Sequence, residues 1–347
     1  MDGIDISLVN TNGIELKRFN ENYFYEYSVE TKKKLTNILK KDLNYNLNRK
    51  EYLDDFVTNE HYLALKDLGI LSICDVIGFH GQTIYHDPQK KTSIQLGNPK
   101  KLANLLSKNV VFDFRSDDIS LGGQGAPLAP IYHKFIIEEH NLKLPSCIIN
   151  IGGISNLTYW DGKKLIGFDT GPGNSLMDDY SRIVIGQNFD KDGYFASKGF
   201  AIKEEVTKFL QEKYFQAPPP KSLDRNSFIK AYKELTQKDY TANDIMATLL
   251  KYTSESIATS LEILPRKVKN IIITGGGCKN LYLMSQLRER LKLNFLNEKE
   301  LKLNFDFIEA ELIAYLSARS VYKLPFTFPL TTGVYKPLSG GKLYKNL

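Results

Sequence analysis

Cysteine and histidine are scarce in this chain of 347 residues. The three cysteines, Cys74, Cys147 and Cys278, lie far apart and are odd in number, which fits free thiols in a reducing compartment. The five histidines are scattered, and the sequence contains no His-x-x-x-His or Cys-x-x-Cys spacing. Such spacings are typical of zinc sites, so we expect no structural metal.

Long apolar runs are also absent. No stretch approaches the roughly 18 apolar residues that cross a bilayer, and residues 1–5 are acidic where a signal peptide is basic. The net charge of +6 comes mostly from lysines spread along the chain, without a long basic block or arginine–aromatic clusters. The sequence therefore favours a cytoplasmic protein that binds neither membranes nor nucleic acids.

Length and composition indicate a folded chain with two lobes. Hydrophobic residues make up 42% and charged residues 25%, which are ordinary values for a globular protein. One core rarely serves 347 residues, so the length predicts two lobes of roughly 100 to 200 residues each, with a cleft between them. We place the N-terminal lobe at residues 1–144 and the C-terminal lobe at residues 145–347.

Two stretches of the chain begin with the same hairpin pattern. In the first, residues 4–9 and 14–19 alternate between apolar and polar side chains around Asn12-Gly13, a dipeptide that suits a tight turn. This pattern predicts a β-hairpin at the start of the chain.

The second copy of the pattern is more complete. Residues 146–151, 154–160 and 164–168 are three predicted strands, with Asp161-Gly162 as a turn and Gly152-Gly153 as an interruption. The apolar run that opens this copy has no counterpart in the first copy, so we expect the first lobe to lack half a strand.

The remaining pattern alternates strands with helices, which indicates an α/β architecture. Further predicted elements are short strands at 76–79, 110–112 and 268–273, and helices at 98–107, 127–139, 241–264, 281–291 and 312–321. Three prolines at 218–220 predict either an exposed loop or a rigid linker.

Asp169 is the strongest candidate for catalysis. It follows the apolar strand at 165–168 and precedes the glycine-rich segment 170–174, in which Gly171 and Gly173 let backbone N–H groups approach a phosphate. An aspartate at a strand end can serve as a general base. The plainer alternative is a turn in which Asp169 only caps local N–H groups.

Polar side chains also follow the predicted strand at 76–79. His80 and Gln82 lie at the end of a strand where open α/β folds place ligands, although a neutral histidine bonded to loop carbonyls is an alternative. Arg115 precedes a glycine loop at 122–126 and can hold a carboxylate by two hydrogen bonds. Its alternative is a surface ion pair with Asp118.

Two later segments complete the candidate residues. Gly275, Gly276 and Gly277 follow a strand without the G-x-G-x-x-G spacing of a dinucleotide site, so a turn that contacts adenosine or a close helix–strand packing fits better. Glu309 and Glu311 introduce the helix predicted at 312–321, and the sequence does not decide which of them faces a cleft.

These motifs together resemble the anhydro-N-acetylmuramic acid kinase family over nearly the whole chain. The matching segments, in order, are residues 78–83, 114–115, 122–128, 150–156, 168–174, 192–193, 221–225, 274–277 and 309–310. The resemblance implies two ribonuclease-H-like lobes of the actin/hexokinase/Hsp70-type sugar kinase fold with a central cleft, and it suggests a homodimer.

The resemblance also implies a reaction and its residues. ATP and water would convert 1,6-anhydro-N-acetylmuramic acid into N-acetylmuramic acid 6-phosphate during recycling of the cell wall, with Asp169 as the base. Sugar contacts are implied for His80, Gln82, Arg115, Asp118 and Glu309. ATP or phosphate contacts are implied for Asp2, Gly3, Asp5, Gly152, Gly153, Gly171, Gly173, Asn174, Gly275, Gly276 and Gly277, and Mg²⁺ is implied with Asp2 as its ligand.

The start of the chain departs from the family pattern. Family members carry a strand and a Gly-Thr-Ser triplet before the segment that matches residues 2–5, and this triplet belongs to the first phosphate-binding loop. Because the triplet is absent here, a start at an internal methionine is the simplest hypothesis. Two other hypotheses remain, namely another sugar or acetate kinase of the same fold and a sugar-binding relic without turnover.

An upstream extension tests this expectation. A chain without the first phosphate loop lacks N–H donors for ATP, so we expect weaker ATP binding and lower stability than in a chain extended upstream. Turnover at varied ATP concentration measures the difference. Equal ATP affinity in both forms would refute it.

Overall fold

The computed structural model describes residues 3–87, 90–223 and 227–346 and shows a mixed α/β architecture. The strands in these residues are β1 (Gly3–Thr11), β2 (Leu16–Glu26), β3 (Val76–Gly78), β4 (Gln82–Asp87), β5 (Thr92–Leu96), β6 (Asn109–Phe112), β7 (Ser146–Ile151), β8 (Ile154–Trp160), β9 (Leu165–Pro172), β10 (Asn270–Thr274), β11 (Asn294–Leu296) and β12 (Lys342–Tyr344). The α/β class predicted from the sequence is confirmed.

Helices make up much of the remaining described chain. They are α1 (Val29–Lys40), α2 (Leu43–Leu47), α3 (Lys50–Leu65), α4 (Pro99–Leu106), α5 (Ser116–Ser120), α6 (Pro130–Glu139), α7 (Ser175–Tyr180), α8 (Lys203–Leu210), α9 (Lys213–Gln216), α10 (Ile229–Thr236), α11 (Ala242–Glu262), α12 (Leu281–Leu291), α13 (Glu298–Leu301) and α14 (Ile308–Val321). None of the helices in the described ranges combines the length and the apolar character needed to span a membrane.

The chain divides into two compact units. Unit 1 comprises Met1–Phe135 together with Asp306–Leu347, and unit 2 comprises Ile136–Phe305. The division predicted from the sequence places the last segment with the C-terminal lobe, whereas this segment belongs to unit 1. Two contacts explain the difference: α14 packs against β1 and β3, and β12 pairs antiparallel with β6.

Unit 1 contains three small sheets in the described residues. β1 and β2 form the hairpin predicted around Asn12-Gly13, and β4 pairs with β5 in a second hairpin that the sequence analysis missed. β3 pairs in parallel with β6, whose other neighbour is β12. The core is formed by apolar side chains such as Leu102 and Val110, both fully buried.

Unit 2 is built on one five-stranded sheet with the order β11-β10-β7-β8-β9. β10 runs parallel to β7 and β11, while β8 runs antiparallel to β7 and β9. The strand β10 is buried along its whole length, which explains its continuous apolar run. The long helix α11 packs on β9, as its helical apolar spacing predicts.

Most predicted boundaries agree closely with the structure. The helix predicted at 281–291 is α12, and the helix predicted at 241–264 is α11 with Thr241 as its N-cap. Several strands end later than predicted: β1 ends at Thr11, β2 ends at Glu26, and β9 continues through Pro172, so Asp169 lies within the strand rather than after it. The strand continues because residues 171 and 172 still pair with β8.

A buried ion pair ties α14 to the hairpin of unit 1. Glu311 is 3% exposed and accepts a hydrogen bond from Arg18 Nε at 2.9 Å and another from the Tyr132 hydroxyl. Burial and, secondarily, the Glu311 charge raise the pKa of Tyr132 well above its ordinary value, so the phenol stays protonated and donates. Glu309, two residues earlier, is exposed.

Removing the charge of Glu311 should weaken unit 1. Glu311→Gln removes the negative charge that faces the Arg18 guanidinium, and we expect the free energy of unfolding to fall by about 3 kcal/mol. Urea unfolding followed by circular dichroism measures this loss. Tryptophan fluorescence would not, because the single tryptophan, Trp160, lies in unit 2. Glu309→Gln is the matched control and should change stability by less than about 0.5 kcal/mol. Equal losses in the two variants would contradict the role of the pair.

Candidate active site

Three glycine segments meet at one edge of the unit 2 sheet. β7 and β10 are parallel neighbours in which Asn150 pairs with Thr274, so the carboxyl ends of both strands reach the same edge. Gly152-Gly153 follows β7, and Gly275 to Gly277 follows β10. In open α/β sheets this edge is where ligands bind.

The third segment, at the end of β9, is fastened to the first by its backbone. The N–H of Gly173 donates to the Gly153 carbonyl at 3.0 Å, and the N–H of Asn174 donates to the Gly152 carbonyl at 2.7 Å. The Asn174 side chain donates to the Ile151 carbonyl at 3.1 Å. These two backbone N–H groups are therefore engaged within the protein, whereas the sequence pattern predicts that they face a phosphate.

Some of these glycines are required by close packing. A Cβ on Gly173 would lie 2.1 Å from the Gly152 oxygen, and a Cβ on Gly277 would lie 2.3 Å from Ile151 Cγ2. Gly275 has φ +78°, and a Cβ there would lie 2.1 Å from Asn150 Oδ1. The packing role that the sequence analysis considered for the 275–277 segment therefore applies to Gly275 and Gly277.

Other glycines of the same edge border open space. A Cβ would meet its first neighbour only at 3.5 Å on Gly152, 3.9 Å on Gly153 and 3.5 Å on Gly276. Gly153 and Gly276 are exposed. These three positions, rather than the close-packed ones, are where the backbone is accessible to a ligand such as a phosphate.

Asp169 lies in β9 beside this edge and is only 7% exposed. Its Oδ2 accepts a hydrogen bond from the Leu223 N–H at 2.8 Å. Its own N–H donates to the Lys221 carbonyl at 3.0 Å, and its carbonyl accepts from the Tyr214 hydroxyl at 2.5 Å. Segment 214–223 therefore holds both the main chain and the carboxylate of Asp169.

The same segment contributes a buried lysine, whose carbonyl accepts from the Asp169 N–H. Lys221 is 6% exposed, and its Nζ donates to the Tyr214 carbonyl at 2.9 Å and lies 5.4 Å from the centre of the Phe168 ring. Burial lowers the pKa of Lys221 to about 8. Burial and then the negative Asp169 raise the pKa of Tyr214, so its hydroxyl remains a donor.

In unit 1, His80 and Arg115 form a second candidate cluster. Arg115 Nη2 lies 3.0 Å from His80 Nε2, and because a guanidinium only donates, Nε2 accepts. The proton of the neutral ring is then on Nδ1, which lies 3.1 Å from the Gly81 carbonyl. Burial, and secondarily the Arg115 charge, lowers the pKa of His80 to about 3. The ring is therefore neutral at physiological pH.

Arg115 also reaches the glycine loop, which Asp118 supports from the other side. Arg115 Nη1 donates to the Gly125 carbonyl at 2.6 Å. Asp118 is 1% exposed, and its two oxygens accept from the Gly125 N–H at 2.7 Å and the Thr332 hydroxyl at 2.6 Å. One Asp118 oxygen therefore holds the Gly125 loop and the other holds Thr332, which supports a structural role for this carboxylate.

The remaining predicted residues of unit 1 are dispersed. Gln82 opens β4 and donates to the Thr83 carbonyl at 3.1 Å. Glu309 is exposed in the first turn of α14, and Asp5 is exposed on β1. Gly3 begins β1, where a Cβ would lie 2.1 Å from the Tyr25 oxygen. Asp2 lies outside the described residues.

The family of this chain follows from its similarity to known sequences. A family profile described as anhydro-N-acetylmuramic acid kinase matches residues 1–346. The chain belongs to the anhydro-N-acetylmuramic acid kinase family. The family resemblance stated from the motifs is thereby confirmed.

Curated relatives in this family are similar to the chain along almost its whole length. The anhydro-N-acetylmuramic acid kinase of Rhodopseudomonas palustris strain BisB18 is 37% identical over 361 residues, covering 99% of this chain and 96% of the relative. That of Zymomonas mobilis is 38% identical over 360 residues, with 99% and 96% covered.

A solved structure gives only a weak match. The activator of the 2-hydroxyisocaproyl-CoA dehydratase from Clostridium difficile is 12% identical, with a TM-score of 0.34, and the match covers 52% of this chain and 63% of that chain. A TM-score this low does not support any statement about the fold or the function of this chain.

Sequence reasoning on this kinase family member missed the groups that hold Asp169. Tyr214 received no role, and Lys221 appeared only within a matching motif. Tyr214 lies in the short helix α9 and Lys221 in the loop after it, about fifty positions from Asp169, without periodicity that could connect them to it. Their only sequence signal is the motif that begins at Lys221.

Three buried histidines should make unit 1 sensitive to acid. Burial lowers the pKa of His61 to about 4, and burial also takes that of His133 to about 3, as it does for His80. The unfolded chain binds these protons near the ordinary value of 6.5, so the stabilisation is complete above that pH and is lost as pH falls toward 3 to 4. We expect each histidine to cost on the order of 1 to 2 kcal/mol by pH 5.

Urea unfolding between pH 7.5 and pH 5 measures this loss. His61→Gln removes one of the three protonations, so the dependence of stability on pH should flatten by about one third in this range. A variant whose pH dependence matches that of the parent chain would show that His61 does not contribute.

Proposed function

We propose that this member of the anhydro-N-acetylmuramic acid kinase family uses ATP and water to convert 1,6-anhydro-N-acetylmuramic acid into N-acetylmuramic acid 6-phosphate, in murein recycling. Family membership along the whole chain supports the substrate and the reaction. The observation that carries the assignment of the base is the carboxylate of Asp169, which is held beside the edge where the glycine segments meet.

Asp169 acts as the general base of this reaction. It takes a proton from the water that attacks the anomeric carbon, the bond from that carbon to the bridging oxygen breaks, and the freed oxygen attacks the γ-phosphate of ATP. ADP leaves with the electron pair of the broken phosphate bond. The Leu223 N–H holds Oδ2 at 2.8 Å, so the carboxylate reaches the water in a fixed orientation.

ATP binds along the glycine edge of unit 2. The backbone at Gly152, Gly153 and Gly276 accommodates phosphates or adenosine, since neighbouring atoms leave these positions open. Gly171, Gly173, Asn174, Gly275 and Gly277 shape this edge by close packing. Gly3 and Asp5 of unit 1 remain proposed contacts of ATP.

Mg²⁺ accompanies ATP in this proposal and supplies neutralising charge when bound. Its proposed ligand, Asp2, lies outside the described residues. Within the described ranges no group of three or more His, Cys, Asp or Glu side chains is arranged to hold a metal. A nucleotide-bound Mg²⁺ is held mainly by phosphates, water and one or two carboxylates, so a dedicated cluster is not required.

The sugar is bound by residues of unit 1. Neutral His80 and the Arg115 guanidinium offer a polar pair in which Arg115 can also bind a carboxylate such as that of a muramic acid. Gln82 and the exposed Glu309 add hydrogen-bonding groups, and Asp118 contributes through the Gly125 loop.

The proposal also retains the two-lobed sugar kinase fold implied by the family resemblance. A cytoplasmic location follows from the use of ATP. A homodimer remains a proposal that the resemblance alone supports.

Asp169→Asn should remove turnover without unfolding the protein. The amide oxygen can still accept from the Leu223 N–H, whereas the side chain no longer takes a proton, so we expect kcat to fall by about 10²- to 10⁴-fold. A coupled assay of ADP release with anhydro-N-acetylmuramic acid measures the loss.

Asp161→Asn is the control for this variant. Asp161 lies at the other end of the β8–β9 hairpin, where it accepts from the N–H groups of Lys163 and Lys164, and its replacement should leave kcat unchanged. Full ADP release by Asp169→Asn would disprove the assignment of the base. Activity on open sugars alone would instead favour another sugar kinase.

A further inference from the structure

Buried hydroxyl side chains of the helix α11 lie against the glycine-rich end of β9. They are only 0% to 3% exposed and belong to Thr253, Ser256 and Ser260. The Thr253 hydroxyl donates to the Gly173 carbonyl at 2.8 Å. Ser256 packs so closely that a Cβ on Gly171 would lie 2.5 Å from its Oγ. The helix therefore presents hydroxyl groups to the backbone that borders the glycine edge.

Thr253 occupies a position where the helical period of α11 predicts an apolar residue. It lies four residues after Leu249 and four before Ile257, and both of these side chains are 0% exposed. A buried hydroxyl costs free energy unless it is hydrogen-bonded. The bond to the Gly173 carbonyl therefore accounts for a polar side chain at this buried position.

The carbonyl that Thr253 engages belongs to a peptide group that is held at both ends. The N–H of this peptide, which is that of Asn174, donates to the Gly152 carbonyl at 2.7 Å. The C=O and N–H groups of a trans peptide point in opposite directions, so the two hydrogen bonds together fix the orientation of the peptide between Gly173 and Asn174.

The next peptide group in this series lies between Gly152 and Gly153. Its carbonyl accepts from Asn174, so its N–H, which is that of Gly153, points away from Asn174. Gly153 is exposed, and a Cβ there would meet its nearest atom, Ser175 Cβ, only at 3.9 Å, so a ligand can approach this part of the backbone. Hydrogen-bonded peptide groups in series polarise one another, which makes the last N–H a better donor to an anion.

We propose that Thr253 is a positioning residue for the phosphates of ATP. Its hydroxyl fixes the peptide between Gly173 and Asn174, and this peptide in turn fixes the direction of the Gly153 N–H. The inference rests on the proposed binding of ATP along the glycine edge. Thr253 does not itself touch the nucleotide. Without its hydroxyl, the buried Gly173 carbonyl loses this donor, and the peptide can turn.

Two substitutions at position 253 and one control test this role. Thr253→Val keeps the branched shape and removes the donor, whereas Thr253→Ser keeps the hydroxyl. Ser254→Ala is the matched control, because Ser254 is also 0% exposed on α11 but donates to the Lys251 carbonyl of its own helix at 3.3 Å. Circular dichroism confirms that each variant is folded.

Calorimetric titration with ADP and with adenosine separates phosphate binding from base and sugar binding. In Thr253→Val we expect the dissociation constant of ADP to rise by roughly fivefold to tenfold, while that of adenosine, which carries no phosphate, changes by less than about twofold. Thr253→Ser and Ser254→Ala should stay within about twofold of the parent chain for both ligands.

Several results would overturn the inference. Unchanged ADP affinity in Thr253→Val would show that the hydroxyl does not act on the phosphates. Equal weakening of ADP and adenosine would indicate a general loosening of unit 2, as would weaker ADP binding by Ser254→Ala. If Thr253→Val does not fold, Thr253→Ala provides the same comparison. A parent chain that does not bind ADP would contradict the proposed function itself, whereas the other outcomes contradict only the role of Thr253.

Discussion

The parallel pairing of β7 with β10 is the constraint on which the nucleotide edge depends. Asn150 opposite Thr274 places the ends of two distant strands at one level, and each strand is followed by glycine. Gly275 then approaches Asn150, and Gly277 approaches Ile151, so closely that no side chain fits. The buried, continuous apolar sequences of both strands stabilise this pairing, and a shift of one residue would separate the glycine segments.

Local sequence patterns predicted much of this fold because turns and apolar periods act at short range. Asn12-Gly13 and Asp161-Gly162 both lie at hairpin turns with positive φ at glycine, and α12 has the predicted bounds. The pairing of strands that are distant in the chain could not be predicted from local patterns. The sequence of residues 342–344 has no feature that predicts a strand paired with β6, so the predicted boundary placed this segment in the other lobe.

In the candidate site, too, local features were predictable from the sequence and long-range contacts were not. Asp169 and the glycines were found from strand-end spacing and motif resemblance, since both are written in consecutive residues. The partners of Asp169 were not, because Tyr214 and Leu223 reach it through a loop without a period. Spacing could not decide between Glu309 and Glu311, but burial does: Glu311 is enclosed with Arg18, so Glu309 is the accessible carboxylate. The two Asp118 oxygens hold Gly125 and Thr332.

The discontinuous course of unit 1 has a consequence for the order of events during synthesis. Thr332 donates to Asp118 and β12 borders β6, so unit 1 is incomplete until the ribosome has delivered almost the whole chain. Unit 2 is contiguous and ends at Phe305, and all of its own sequence is available earlier. The amino-terminal part of unit 1 therefore keeps apolar surface exposed until its last strand has been synthesised. Chaperones act on such exposed surface during this interval.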